Sequence, residues 1–260
     1  MENKEQQVIS KKRVADHGEV LTARREVDAM LDLVKQETER IDSKFLEPAC
    51  GTGNFLIVIL ERKIAVIERK LAQLKKKIKK SEKHSDKEVS FYEQNSLQAL
   101  SSIYGIGILQ DSIEAAKARL LEYFVESYQK ILEKETPQEV IACARFILDK
   151  NILLGDAINT QDKVTVPGVP GLDKIVFTEW GWSEDLVKRR EFRFGFMHLD
   201  WVDADDAQIP DTDDLFSEEK AIHHQVLINE SGKGTMEPIP IREYPFTHFS
   251  KLTNGDNHAR

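Results

Sequence analysis

The stretch that decides the fold is Phe45-Leu-Glu-Pro-Ala-Cys-Gly-Thr-Gly-Asn-Phe-Leu56. Its beginning, Lys44–Ala49, is a short apolar run that stops at glycines, as a buried strand does. Gly51 and Gly53 then turn the chain into a long helix. Glycine lets the backbone approach a ligand closely, and the N–H groups at a helix N-terminus point toward that ligand. The stretch therefore predicts a strand, a glycine turn and a helix, an arrangement that fits a nucleotide, a dinucleotide or simply a tight turn.

Apolar patterns on both sides of this stretch predict alternating helices and strands. Thr22 can cap a helix whose apolar residues recur at helical spacing; they are Val27, Met30, Leu31 and Val34. After the glycine turn an apolar stripe repeats every three or four residues, comprising Ile64, Ile67, Leu71, Leu74 and Ile78. The apolar run Leu97–Ile106 leads into an expected second strand that ends near Gly105 and Gly107, and further strands are expected at Asn151–Asp156 and Lys174–Thr178. This alternation predicts an α/β fold with a parallel sheet and helical crossovers.

Composition divides the chain into three segments. We expect residues 1–13 to form a flexible polar arm. Residues 14–196 contain the alternating pattern of helices and strands. For residues 197–260 we expect an acidic, irregular, loop-rich C-terminal segment with one short strand at Gln225–Ile228. Residues 199–219 carry nine acids and no Lys or Arg, whereas residues 61–87 carry eleven Lys or Arg against four acids. The basic helix could approach a DNA backbone, although a solvated helix face is the stronger interpretation.

The composition also excludes several classes of protein. The 260 residues are 40% apolar and 32% charged, which is typical of a soluble globular protein. No apolar run approaches the ~20 residues that span a bilayer, and the start lacks the apolar core of a secretory signal. Two cysteines exclude a disulfide scaffold and a cysteine-rich zinc module. We therefore expect a cytoplasmic protein without a metal or a membrane partner, and the net charge of −8 still allows a nucleic-acid enzyme.

The longer string from Glu47 to Phe55 resembles the S-adenosylmethionine motif of N6-adenine DNA methyltransferases, the group that includes modification subunits of restriction-modification systems. The upstream string Val14-Ala-Asp-His-Gly-Glu-Val-Leu-Thr22 is similar to that family's Gly-x-x-x-Thr-Pro segment, with Ala23 in place of the proline. The resemblance covers roughly residues 11–180. It implies a Rossmann-like methyltransferase fold whose parallel central sheet is incomplete in this chain.

The resemblance assigns cofactor contacts to the residues that match the family. Glu47 would contact the amino group of S-adenosylmethionine, directly or through water. Asp156, at the end of the third strand, would bond the adenine amino group, and Thr22 would contact the methionine carboxylate. The other cofactor-binding residues lie in the turn and at the start of the helix; they are Ala49, Cys50, Gly51, Gly53, Asn54 and Phe55.

Two positions depart from the family. The family ends its second strand with an acid that binds the ribose hydroxyls, but Gly107 stands at that place. The family also carries Asp/Asn-Pro-Pro-Tyr/Phe after the fourth strand, where the loop holds the flipped adenine. This chain has no such tetrapeptide. The corresponding catalytic candidates are Thr178, Glu179 and Trp180, and the favoured alternative is that Glu179 lies at the surface and Trp180 packs.

The resemblance thus implies a site-specific DNA adenine-N6 methyltransferase subunit of a restriction-modification system. A second protein subunit would supply the Asn-Pro-Pro-Tyr motif and the domain that reads the DNA sequence. An alternative is a noncatalytic regulatory or DNA-binding protein on a degenerate methyltransferase fold. A methyltransferase that acts on RNA or protein is a weaker alternative, because the Gly18–Thr22 segment argues against it.

Overall fold

The computed structural model describes residues 21–77, 84–157, 174–194, 224–228 and 234–258. In these ranges the α-helices are α1 (Arg24–Asp32), α2 (Lys35–Thr38), α3 (Asn54–Lys77), α4 (His84–Ser101), α5 (Gln110–Leu132) and α6 (Gln138–Asn151). The strands are β1 (Phe45–Glu47), β2 (Ile103–Gly107), β3 (Ile152–Leu154), β4 (Val176–Ser183), β5 (Leu186–Arg193), β6 (His224–Ile228), β7 (Gly234–Pro238) and β8 (Arg242–His248). A 3-10 helix follows at Phe249–His258. The expected arm at residues 1–13 and the acidic stretch at 199–219 lie outside the described residues.

Strands β1, β2 and β3 form a parallel sheet in the order β1-β2-β3. Leu46 pairs with Tyr104, and Ile106 pairs with Leu153. Helices α3 and α4 connect β1 to β2, and α5 and α6 connect β2 to β3. Parallel strands require crossovers of this length, which helices normally supply. The protein is therefore a mixed α/β structure with a parallel sheet, as its sequence predicts.

The fourth predicted strand does not join that sheet. Strand β4 begins two residues later than expected and continues to Ser183, where it turns back and pairs antiparallel with β5. Strand β8 pairs with the other edge of β5, which gives a second sheet in the order β4-β5-β8. Only two residues separate β4 from β5, and such a short connection permits an antiparallel hairpin but not a parallel crossover.

The described parts of the C-terminal segment, residues 224–228 and 234–258, are more regular than the sequence predicts. The expected strand at Gln225–Ile228 is confirmed as β6, but it pairs with β7, and β8 and the 3-10 helix follow. Phe249 and Leu252 of that helix are buried in the core. Pro245 makes β8 hard to predict, since proline lacks a ladder donor; it is tolerated here because β8 lies at the edge of its sheet among the described residues.

The described helices bury most of the apolar residues that their sequences predict, with exceptions in α1 and just after it, and Ile78 lies outside the described residues. Ile64, Ile67 and Leu71 of α3 are buried, whereas Met30 and Val34 are exposed. The predicted cap is also wrong, because the N-cap residue of α1 is Ala23 and makes no side-chain bond. Among the described residues, no helix combines the length and the apolar character needed to cross a membrane.

Lys63 connects α3 to the segments that precede β1 and β2. Its side chain is fully buried, and Nζ donates to the carbonyls of Ile41 (3.0 Å) and Ser43 (2.5 Å) and to Ser102 Oγ (2.7 Å). Burial lowers the pKa of Lys63 to about 7, while the charge of Asp42 acts in the opposite direction. The three acceptors match the three donors of an ammonium group, so this contact fixes the starts of two strands.

We expect Lys63→Met to destabilise the protein by about 3 kcal/mol, because it leaves three oxygens without their donor. Urea unfolding at pH 6, where the amine is charged in both states, measures the change. Lys70→Met is the matched control, since Lys70 is exposed on the same helix and should change stability by less than about 0.5 kcal/mol. Equal stability of the two variants would show that the buried ammonium has no structural role.

Candidate functional site

The glycine turn lies at the edge of the parallel sheet where the strands end. Gly51 and Gly53 both have positive φ angles, of 48° and 83°. The Cys50 N–H donates to the carbonyl of Ile106 at 2.9 Å, which holds the turn against β2, and the Gly53 N–H donates to the carbonyl of Cys50 at 2.8 Å. Helix α3 starts at Asn54, and the N–H groups of its first turn have no partners within the helix. The turn therefore directs backbone donors beyond the carboxyl end of β1.

Helix α5 packs against this turn and holds it in place. A Cβ atom at Gly53 would lie 3.1 Å from Cβ of Ala116, so the helix approaches as closely as a glycine allows. Arg119 Nη1 donates to the carbonyl of Thr52 at 2.6 Å and to Asn54 Oδ1 at 2.9 Å. The guanidinium thus binds the residues immediately before and after Gly53. Sequence reasoning missed Arg119, because an arginine 65 residues beyond Asn54 carries no local signal of this contact.

The segment before α1 reaches the same turn. Asn54 Nδ2 donates to the carbonyl of Thr22 at 2.9 Å. Leu21 also lies beside the turn, since its Cδ2 would be 3.8 Å from a Cβ atom at Gly51. The structure therefore brings Thr22 next to Asn54, through the backbone of Thr22. The other residues of the upstream string, Val14–Val20, lie outside the described residues.

Glu47 and Cys50 have different surroundings within the turn. Glu47 Oε1 accepts a hydrogen bond from the N–H of Ala49 at 3.1 Å and remains half-buried. Burial raises the pKa of the Cys50 thiol to about 12, and the charge of Glu47 adds to the effect. At neutral pH the thiol is therefore protonated and poorly nucleophilic. Cys50 instead packs against β2, where a Cβ atom at Gly105 would lie 3.0 Å from its Sγ.

Asp156 follows β3 at the same edge of the sheet. The Gly155 N–H donates to the carbonyl of Gly107 at 2.9 Å, which aligns the ends of β3 and β2, and the half-buried Asp156 comes next. Gly107 itself is buried, and a Cβ atom there would lie 3.1 Å from Cδ1 of Ile113. The position where the family has its ribose-binding acid therefore contacts hydrocarbon in this chain.

The tripeptide Thr178-Glu179-Trp180 does not form a loop. It lies inside β4, so the expectation of a loop after the fourth strand is wrong. Thr178 is 1% exposed, and its carbonyl accepts a hydrogen bond from Tyr104 Oη at 2.9 Å. Trp180 is 7% exposed; its Nε1 donates to Asn151 Oδ1 at 2.9 Å, and its ring packs edge-on against Phe146. In this arrangement the indole packs inside the protein and has no face on which a base can stack.

Glu179 is held by two cations. Its carboxylate accepts hydrogen bonds from Lys44 Nζ at 3.0 Å and from Arg190 Nε at 2.9 Å. Burial on its own would raise the pKa of Glu179, but the hydrogen bonds and charges of Lys44 and Arg190 outweigh that effect and lower the pKa. The carboxylate is therefore ionised and already paired at neutral pH. These contacts connect β4 to β5 through Arg190 and to the residue before β1 through Lys44.

No protein-family model, curated protein or solved structure matches this chain. Among the described residues, no group of three or more His, Cys, Asp or Glu is placed to hold a metal ion. The predicted cofactor residues Thr22, Glu47, Gly51, Asn54 and Asp156 lie around one edge of the parallel sheet, whereas the predicted catalytic residues lie within a second sheet.

The two glycines of the turn should respond differently to alanine. Gly51→Ala requires a positive φ but meets only Leu21 at 3.8 Å, so we expect a loss of about 1 kcal/mol. Gly53→Ala adds the close contact with Ala116, and we expect a loss of about 3 kcal/mol. Thermal or urea unfolding of the two variants measures the difference. Equal losses would contradict the close packing of α5 on the turn.

Proposed function

We propose that the chain is the S-adenosylmethionine-binding subunit of a DNA adenine-N6 methyltransferase from a restriction-modification system. The observation that carries the proposal is the glycine turn at the carboxyl end of β1, where Gly51 and Gly53 have positive φ angles and Gly51 remains partly exposed. Ligands of open parallel sheets bind outside the carboxyl ends of the strands. Because the same residues resemble the methyltransferase motif, we propose S-adenosylmethionine as the ligand.

The residues at this edge suit the functional groups of the cofactor. Asp156 offers a carboxylate to the adenine amino group, and Glu47 offers one to the methionine amino group. The backbone of Gly51 and Gly53 would line the cofactor between them, and Thr22 would contact the methionine carboxylate. When bound, S-adenosylmethionine supplies an electrophilic methyl group on a sulfonium. The chain would orient that group and exclude water from it.

The half of the site that would hold the target adenine belongs, in this proposal, to a second subunit. Transfer to an adenine amino group needs acceptors beside the flipped base and a ring stacked on it. Trp180 already donates a hydrogen bond to Asn151 and packs against Phe146. The carboxylate of Glu179 already accepts hydrogen bonds from Lys44 and Arg190. We therefore propose that Trp180 and Glu179 have a structural role. A partner carrying Asn-Pro-Pro-Tyr and a sequence-reading domain would complete the enzyme on DNA.

A degenerate, noncatalytic protein is the second candidate. Gly107 favours this candidate, because it contacts hydrocarbon at the position where an acid that binds the ribose is expected. Such a protein would regulate or bind DNA without transferring a methyl group. Cofactor affinity and methyl transfer in the presence of a partner separate the two candidates.

The first test is calorimetric titration of the purified chain with S-adenosylmethionine. We expect binding by the parent chain and a loss of about tenfold or more in Asp156→Asn, because a charge-assisted hydrogen bond contributes about 1.5–3 kcal/mol. Gly51→Val should abolish binding, because its side chain occupies the approach to the backbone. Glu122→Gln, which removes a carboxylate from an exposed position on α5, is the matched control and should bind like the parent. Absence of heat from the parent at millimolar cofactor would refute the proposal.

The second test is transfer of tritium from labelled cofactor to duplex DNA. We expect little or no transfer by the chain alone, because it lacks the rigid proline loop that positions the base, and a misplacement of about 1 Å can reduce the rate about a hundredfold. Activity should appear when the protein encoded beside it, carrying Asn-Pro-Pro-Tyr, is added. Strong transfer by the chain alone that is lost in Glu179→Ala or Trp180→Ala would contradict the two-subunit account. Cofactor binding without transfer in any mixture would favour the noncatalytic candidate.

A further inference from the structure

A cleft of about 620 Å³ opens between the antiparallel sheet and the outer side of β3. Its volume lies within the range of small-molecule sites, about 300–1,000 Å³. It is lined by Leu153 and Leu154 of β3, by residues at the end of α6, and by residues of β4, β5 and the start of β8. No residue that we assign to the cofactor lines it.

Strand register explains why the cleft is open. Trp180, Arg189 and Tyr244 lie in one cross-strand row, and Phe146 of α6 covers that row through ring contacts with Trp180 and Arg189. The next row on the same face contains Thr178 and Glu191, with Arg242 adjacent to Glu191 on β8. These residues line the cleft, as do Val176 and Arg193 of the following row. The cleft is thus the part of this sheet face that α6 does not cover.

The polar lining of the cleft is mainly basic. Four cations and two acids line it, namely Lys150, Lys174, Arg193, Arg242, Asp149 and Glu191. Both acids have basic neighbours: Glu191 lies 3.4 Å from Lys150 Nζ, and Asp149 lies 3.0 Å from Lys117 Nζ. Lys174, Arg193 and Arg242 are exposed. The cleft therefore presents net positive charge to a ligand.

Two further features point to a ligand rather than to a solvated basic surface. Thr178 lines the cleft and is 1% exposed, yet its hydroxyl has no hydrogen-bond partner among the described residues. Buried hydroxyls almost always have such a partner. In addition, Leu153, Ile175 and Val176 give the cleft an apolar wall beside its basic residues. A basic rim beside an apolar wall suits a molecule with an anionic group and an apolar part.

We propose that this cleft binds a nucleotide through its phosphate, either as a free mononucleotide or as part of a single nucleic-acid strand. Arg193 and Arg242 hold the phosphate oxygens, and Lys174 adds its charge. The base lies against Val176 and the exposed Ile241, both of which line the cleft. This site is separate from the cofactor turn, so its existence does not depend on the methyltransferase proposal.

Fluorescence anisotropy of a labelled 12-nucleotide single strand tests the site on the full chain. We expect Arg193→Gln/Arg242→Gln to weaken binding at least tenfold, because each lost charge-assisted hydrogen bond alone is worth about that factor. The matched control Arg25→Gln/Arg40→Gln removes the same charge from exposed positions on α1 and just after α2 and should stay within twofold of the parent.

Competition with deoxyadenosine monophosphate distinguishes the two sources of the phosphate. Displacement of the strand at millimolar mononucleotide assigns the cleft to a free nucleotide, and absence of displacement assigns it to a strand. Equal affinity of Arg193→Gln/Arg242→Gln and the control, or no binding of either probe, would overturn the inference. A parallel titration with S-adenosylmethionine should give the same affinity for the parent and the cleft variant, which keeps this outcome distinct from failure of the cofactor proposal.

Discussion

The close approach of α5 to Gly53 is the constraint on which the site depends. A side chain at Gly53 would meet Ala116 at 3.1 Å, and Arg119 reaches across the same contact to Thr52 and Asn54. Asn54 in turn bonds the carbonyl of Thr22, so one chain of contacts connects α5, the turn and the segment before α1. Burial of Gly105 against Cys50 adds the connection to β2. Pre-organised backbone of this kind lowers the entropic cost of binding a ligand.

Features that follow from local chemistry could be predicted from the sequence. The glycines after an apolar run indicated the turn, and both of them adopt the positive φ angles that glycine permits. The spacing of Ile64, Ile67 and Leu71 indicated the buried face of α3. Asp156 follows β3, as expected for an acid that comes directly after an apolar run. These signals lie within a few residues of the structures they predict.

Features that depend on distant contacts could not be predicted in this way. Leu97 and Leu100 lie in an apolar run that fits a buried strand or a buried helix, and tertiary packing places them in α4. The antiparallel pairing of β4 depends on the hairpin with β5, and its packing places Trp180 against Asn151. Arg119 has no local signal at all. Thr178-Glu179-Trp180 likewise lies in β4 and not in a loop, because the pairing of β4 with β5 depends on contacts that the local sequence does not signal.

The most direct test of the account is a two-dimensional ¹⁵N NMR titration of the chain with S-adenosylhomocysteine, the demethylated form of the proposed cofactor. The account predicts saturable shifts of the amide signals of Gly51, Gly53 and Asp156, which lie at the carboxyl edge of the parallel sheet. Signals of β5 and β8, in the second sheet, should remain in place. Unchanged spectra at millimolar ligand, or shifts confined to the second sheet, would contradict the assignment of the glycine turn as the cofactor site.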